Sequence, residues 1–466
     1  DLRELVPSGT KLRVIATTTN STGWDDQGWD AIKVGVFHRD DSINYLLTAT
    51  ESTDRNAADT LARRLGDLPL ALAQAAATAR NGNLSLARYL DRLDCYRSER
   101  VIRPIPGDYY TDDVATALCM AIEDTLENLE DGTKQAARYI LGALALLAES
   151  GVPTRWLDPT IEQLDDRGLG NANQAADEDV HDALTELIHR SIVQQPEEGA
   201  TTMVHRLQAQ AFRESWDATE AENASESAAI VLGEVDVDSF PRNDTDSRRR
   251  ETLDLIEQLR AIGEQAYSHS LFEYDGVCSN LLKTMFAANN LGMSLELMTL
   301  KNALEVLKES IGPNHAVILI ARSILAQSYQ RSGHIEKAIS MFEDLLETSR
   351  YNSEQGSTFT LELSNNLANA YREAGRNDEA ILIYEELIEQ TISNPTPDYR
   401  TSFTLHNNLA SAYLNAERID EAISMFEKTI VRCMNTFGES DTFTLSLCDN
   451  LAGAYELNGR LDDAIC

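Results

Sequence analysis

One phrase recurs at a fixed interval through the last third of the chain, and no other feature restricts the fold as much. Leu325, Ala326 and Tyr329 are followed at 42-residue intervals by Leu367, Ala368 and Tyr371, by Leu409, Ala410 and Tyr413, and by Leu451, Ala452 and Tyr455. Downstream columns keep this register. They are Gly333, Gly375 and Gly459, with Glu417 as the exception; Ala338, Ala380, Ala422 and Ala464; and Phe342, Tyr384 and Phe426. Leu, Ala and Tyr at i, i+1 and i+4 make an apolar stripe on a first helix. Glycine ends that helix, because it enters the left-handed region without strain. The later alanine and aromatic stand four apart on a second helix that packs back on the first. Such a pair cannot bury its faces alone, so the units must stack. The Phe-Thr-Leu phrases begin at Phe359, Phe403 and Phe443, 44 and 40 residues apart. The first helix of the middle unit is therefore expected to start two residues late. The array stops at Cys466, just past the alanine of a second helix, and reads as cut short within a unit.

The pattern resembles the tetratricopeptide repeat, whose units have ~34 residues; the longer period resembles the repeats of kinesin light chains. That resemblance implies a concave groove lined by the positions two before and two after the repeated leucine. These are Asn365 and Asn369, Asn407 and Ser411, then Asp449 and Gly453, with Arg372 one turn beyond Asn369. An Asn amide both donates and accepts, so it can hold the backbone of a protein or peptide partner. The alternatives for each residue are a solvated polar position or a bond between neighbouring repeats.

The rest of the composition narrows the class. Lys and Arg number 40 against 76 Asp and Glu, a net charge of −36. Such acidity repels phosphate backbones, so no nucleic-acid binding is expected of this chain. The six cysteines, Cys95, Cys119, Cys278, Cys433, Cys448 and Cys466, form no C-x-x-C pair, and a cytoplasmic setting is expected. The richest apolar run, Tyr139 to Ala148, is far short of the ~20 residues of a membrane helix.

In the first half, Lys11 to Thr19 reads as a buried strand ending in threonines, and Ile32 to Phe37 as a second short strand. An alanine-rich helical stretch follows over Asn56 to Arg80, interrupted at Gly66 to Leu70. There Pro69, lacking a backbone donor, must sit near a helix start. These motifs, in this order, resemble the NB-ARC family of STAND-class signal-transduction ATPases, in the repeat-carrying actinobacterial form. The segment around Thr17 and Thr18 is similar to the family's sensor strand. Gly66-Asp67-Leu68-Pro69-Leu70 is similar to its Gly-Leu-Pro-Leu motif, whose proline packs on adenine. Val204-His205-Arg206-Leu207 is similar to its Met-His-Asp motif, whose histidine reaches the β-phosphate of ADP. The resemblance covers about residues 1–216 and implies ADP or ATP with magnesium as cofactor in the complete protein, slow ATPase activity there, and nucleotide-dependent oligomerisation. Read without it, Thr17 and Thr18 simply end a strand, Pro69 starts a helix and His205 is a core histidine. The sequence departs from the family at Thr19, Asp67 and Arg206, which replace an arginine, a glycine and an aspartate. No phosphate-binding G-x-x-x-x-G-K-[ST] loop occurs, and the acidic metal-binding strand would lie before Asp1, so the chain reads as a fragment.

The expected fold is mainly α. A remnant of an α/β nucleotide-binding domain (1–40) leads to a helical ARC domain (41–110) and a winged-helix domain (111–216). A polar linker (217–250), degenerate helical repeats (251–310) and an α-solenoid of tetratricopeptide-like repeats (311–466) follow. Three functions fit this order. One is a nucleotide-switched signalling protein whose repeats sense a partner. The second is a non-enzymatic scaffold, and the third a transcription regulator with its DNA-binding domain upstream. No G-x-S-x-G elbow, H-E-x-x-H helix or calcium loop is present, so no catalytic residue is expected.

Overall fold

The computed structural model describes residues 36–99, 112–157, 175–196, 200–263, 271, 274–351, 357–392, 399–460 and 464. The strand expected at Lys11 to Thr19 lies outside them, and so does the second strand except for Val36 and Phe37, which belong to no strand. The chain divides into two compact units, residues 1–90 and 91–466.

The described part of the first unit is helical: α1 (Arg39–Ala49), α2 (Arg55–Arg64), α3 (Pro69–Asn81) and the start of α4 (Leu86–Glu99), which runs past the division. Helix α2 begins at Asp54, whose carboxylate accepts from Ala57 N at 3.0 Å. Its last turn carries Arg63 and Arg64, where the helix dipole favours cations. Leu46, Ala58, Leu61, Leu65 and Leu72 are fully buried and form the core. Between α2 and α3 the backbone takes two successive left-handed residues, Gly66 at φ 60° and Asp67 at φ 57°. The bidentate grip of Arg39 on the Asp67 carboxylate, at 2.8 and 2.6 Å, holds this turn.

After the rest of α4, the second unit continues with α5 (Asp112–Glu127) and α6 (Asp131–Leu146). Then come β1 (Val152–Pro153), α7 (Ala175–His189), β2 (Val193–Gln194), β3 (Thr201–Val204) and α8 (Arg206–Ser215). The strands form an antiparallel sheet in the order β1–β3–β2, with Val152 opposite Thr202 and Val193 opposite Val204.

Residues 217–250, expected as a linker, are not one. Asp217 and Glu220 form a capping box that starts α9 (Ala218–Gly233), a helix packed closely on α6. Glutamates and serines gave this segment its polar look, but Ala221, Ala224, Ala228, Ile230, Val231 and Leu232 are buried. Helix α10 (Thr245–Gly263) follows, then α11 (Asp275–Asn290), α12 (Ser294–Met298) and α13 (Lys301–Ile311). Two buried amides key these parts together. Gln258 on α10 accepts from Ala148 N at 2.7 Å and donates to Gly151 O at 2.8 Å. Asn280 on α11 donates to Leu232 O and Val235 O, at 2.7 and 2.9 Å, closing the end of α9.

The array continues as α14 (Ala316–Arg331), α15 (Ile335–Tyr351), α16 (Ser357–Glu373), α17 (Asn377–Ile392), α18 (Tyr399–Asn415), α19 (Ile419–Phe437) and α20 (Thr442–Leu457). Each helix packs on the next. The repeated alanines Ala338, Ala380 and Ala422 are fully buried, as are the aromatics Phe342, Tyr384 and Phe426. The first helices end alike: the amides of His334, Arg376, Arg418 and Arg460 donate to the carbonyls of Tyr329, Tyr371, Tyr413 and Tyr455 at 2.8–2.9 Å. One core runs from Ile122 to Ala454.

Candidate functional site

The first helices of consecutive repeats carry a row of asparagines joined to one another. Asn408 Nδ2 donates to Asn365 Oδ1 at 3.1 Å, and Asn450 Nδ2 donates to Asn407 Oδ1 at 2.8 Å. Both rungs join residues 43 apart in sequence, so the row follows the stacking of α16, α18 and α20. A parallel row links each first helix to the preceding second helix. Tyr371, Tyr413 and Tyr455 donate their hydroxyls to Glu343, Glu385 and Glu427 at 2.6, 2.9 and 2.6 Å. Arg376, Arg418 and Arg460 lie over those three tyrosine rings at 4.1, 4.3 and 4.5 Å. Burial and the Glu343 bond push the Tyr371 phenol up to about 12, so it stays protonated and donating.

Asn369 and Arg372 have a local cause. The aromatic column holds phenylalanine at 342 and 426 but Tyr384 between them. That buried hydroxyl needs a partner, and it donates to Asn369 Oδ1 at 2.8 Å with the Arg372 guanidinium beside it. Ser411 donates to Asn407 O of its own helix at 2.9 Å. The five residues singled out in the groove thus split in the structure. Asn365 and Asn407 share the asparagine row, Asn369 and Arg372 serve Tyr384, and Ser411 turns back on its helix. What remains open to a partner is the other half of three amides. The Nδ2 groups of Asn365, Asn369 and Asn407 donate to nothing among the described residues, while their oxygens are held.

Sequence reasoning missed Asn408 and Asn450, which give the rungs, and Glu343, Glu385 and Glu427. A signal was present: the doublets Asn365-Asn366 and Asn407-Asn408 stand 42 apart, which places a second amide beside each chosen one.

Of the nucleotide candidates, Thr17 and Thr18 lie outside the described residues. Pro69 is the first residue of α3, in the first unit. His205, in the second, stands between β3 and α8 and caps α8, its Nδ1 accepting from Leu207 N at 3.2 Å. Burial and the adjacent Arg206 hold this imidazole below the usual histidine range, as a ring nitrogen that accepts a hydrogen bond requires.

Family models of the tetratricopeptide repeat match residues 363–397 and 401–466, and a PPR repeat model matches 321–348. The C-terminal array is built of tetratricopeptide repeats. No curated protein sequence matches the chain. Solved structures similar to it include a putative kinesin light chain of Podosopora anserina with nearly identical TPR-like repeats. It is 18% identical with a TM-score of 0.36, over 40% of this chain and 88% of that one. BtubC of P. vanneervenii is 21% identical with a TM-score of 0.36, over 50% of this chain and 86% of that one. A signal transduction ATPase with numerous domains and a tetratricopeptide repeat sensor, from Pyrococcus horikoshii, is 11% identical with a TM-score of 0.33, over 92% of this chain and 71% of that one. The tetratricopeptide repeats, with their row of half-engaged amides, are the best-formed candidate site in the chain. Among the described residues no helix is long and apolar enough to cross a membrane, and no group of His, Cys, Asp or Glu could hold a metal ion.

Proposed function

We propose that the tetratricopeptide repeats bind an extended segment of a protein partner through the asparagine row. The observation that carries this reading is the half-engaged amide. A rung fixes the oxygen of Asn365 or Asn407 inside the protein, so the nitrogen of the same amide is oriented without a further entropy loss. A row of fixed donors suits the carbonyls of an extended backbone. Asn365→Asp and Asn407→Asp keep the accepting oxygen and remove the outward donor. A random peptide library panned on the full chain would supply the probe. The double variant should bind a recovered peptide about tenfold more weakly, the sum of two hydrogen bonds of roughly 0.5–1.5 kcal/mol each, with an unchanged melting temperature. Equal affinity would sink the reading.

The second reading adds a nucleotide switch, and two local geometries favour it. The left-handed pair Gly66 and Asp67 delivers Pro69 to the start of α3, and Asp67 occupies with positive φ the place where the resembling family has glycine. His205 stands where a strand of the β1–β3–β2 sheet passes into a helix, as the resemblance to the family's Met-His-Asp motif expects. On this reading the repeats sense a partner and ADP holds the switch closed. Helix α7, ahead of β2, carries Glu178, Asp179, Asp182 and Glu186, which favours a regulatory role over the reading of DNA. The test is ADP retention by a parent protein that carries the phosphate loop: His205→Ala should release ADP, and retention equal to the unmodified protein would return His205 to its capping role alone.

A further inference from the structure

A cleft of about 630 Å³ opens among α5, α6, α8 and α9, away from the asparagine row. Its volume falls in the range of small-molecule sites, ~300–1,000 Å³. Small residues line part of its floor. A Cβ on Gly142 would meet Ala224 Cα at 3.0 Å, so α6 and α9 cross with almost no side chain between them. Leu126, Tyr139 and Ile230 supply apolar lining. Phe212 and Trp216 supply more, packed edge to face with centroids 5.4 Å apart.

The charges around this lining are one-sided. Glu123, Glu127, Asp131, Glu220 and Glu226 border the cleft, against Lys134 and Arg138. Neither of these two cations makes a salt bridge among the described residues, and the acidic side chains outnumber them. Crowded carboxylates of this kind already affect a neighbour. Burial first, then Glu127 and Glu123, push the Asp124 carboxyl up to about 6 despite its pairing with Arg92. An anion would meet this border unfavourably. A cation would find both carboxylates and aromatic rings, the combination that binds ammonium and guanidinium groups once water is displaced.

We propose that the cleft binds an organic cation, a protonated amine or guanidinium carried on an aromatic body. It is a site separate from the asparagine row and independent of the peptide reading. A ligand there would touch α6 and α9 at once, beside their close crossing at Gly142 and Ala224.

Calorimetric titration of the full chain with phenethylamine, phenethyl alcohol and phenylacetate tests this, since the three probes share a ring and differ in charge. The amine should bind in a saturable, single-site manner, about tenfold more tightly than the alcohol, and phenylacetate should not bind. Glu127→Gln with Asp131→Asn, both at exposed positions, should weaken the amine severalfold and leave the alcohol unchanged. Trp216→Leu should weaken both. Three results would overturn the proposal: no saturable amine binding, equal binding of acid and amine, or an amine affinity indifferent to the two carboxylate changes.

Discussion

Two side chains in the second unit carry opposite pH signatures, and each follows from its surroundings. Asp124 is nearly buried, and its carboxyl rises from an ordinary 3.8 to about 6. Its contribution to stability is therefore full below 3.8 and is lost as the pH climbs through about 6. His205 is held below its ordinary value, so its contribution is full above 6.5 and is lost as the pH falls. Asp124→Asn should remove the first effect and leave the second. In urea titrations from about pH 3 to 8, the unmodified chain should lose stability relative to the variant as the pH rises from 3.8 through about 6; parallel curves would contradict this. Glu417 is a second residue-scale case. It ends α18 at φ 59° where the other repeats place Gly333, Gly375 and Gly459. A non-glycine residue in that region carries a penalty of roughly 1–2 kcal/mol, so Glu417→Gly should raise stability by about 1 kcal/mol in thermal melts. The repeat columns exposed Glu417 as an exception in the sequence itself. They could not show that Asn369 and Arg372 answer to Tyr384, because that requires knowing where a buried hydroxyl points.

At the scale of helices, close crossings decide which substitutions matter. A Cβ on Gly263 would lie 2.6 Å from Ala303 N and 2.7 Å from its Cα, so α10 and α13 touch backbone to backbone. Gly453, in the middle of α20, has nothing within 4 Å of the same position. Gly263→Ala should therefore destabilise by roughly 1–3 kcal/mol through overpacking. Gly453→Ala should stabilise by about 1 kcal/mol through helix propensity alone. Melting temperatures that moved in the same direction would refute this account of the crossing. The helices of the array were legible from periodicity, since their apolar columns repeat and their ends carry a turn signal. Helix α9 was not, because its glutamates, Asn223 and serines gave it a polar composition, although Ser225 and Ser227 are buried beside the alanines that do the packing. Three-dimensional crossing partners such as Gly142 with Ala224, or Gly233 with Gly276, leave no mark at a fixed sequence interval.

For the molecule as a whole, the continuity of the core from Ile122 to Ala454 bears on how the chain comes apart. Buried residues of the sheet-bearing part and of the repeats belong to one cluster, and Gln258 and Asn280 tie its segments with satisfied bonds. Hydrogen exchange should show α6, α9 and α10 opening together, with the outer repeats fraying earlier, as nearest-neighbour stacking predicts. Separate opening of α6 from α9 would argue against the shared core. The chain should also turn over no ATP, because no Gly-rich loop with its lysine is present to cradle phosphates; turnover above a mock preparation would contradict that. The buried glutamine has a practical consequence for anyone who wishes to graft these repeats onto another protein. A cut at the polar stretch near residue 217, where composition invites it, would leave both halves of the Gln258 clasp unsatisfied in an opened apolar wall. The transplantable module begins upstream of α5, so that Arg92 stays with Asp124, and a donor that carries only the recognisable repeats should aggregate.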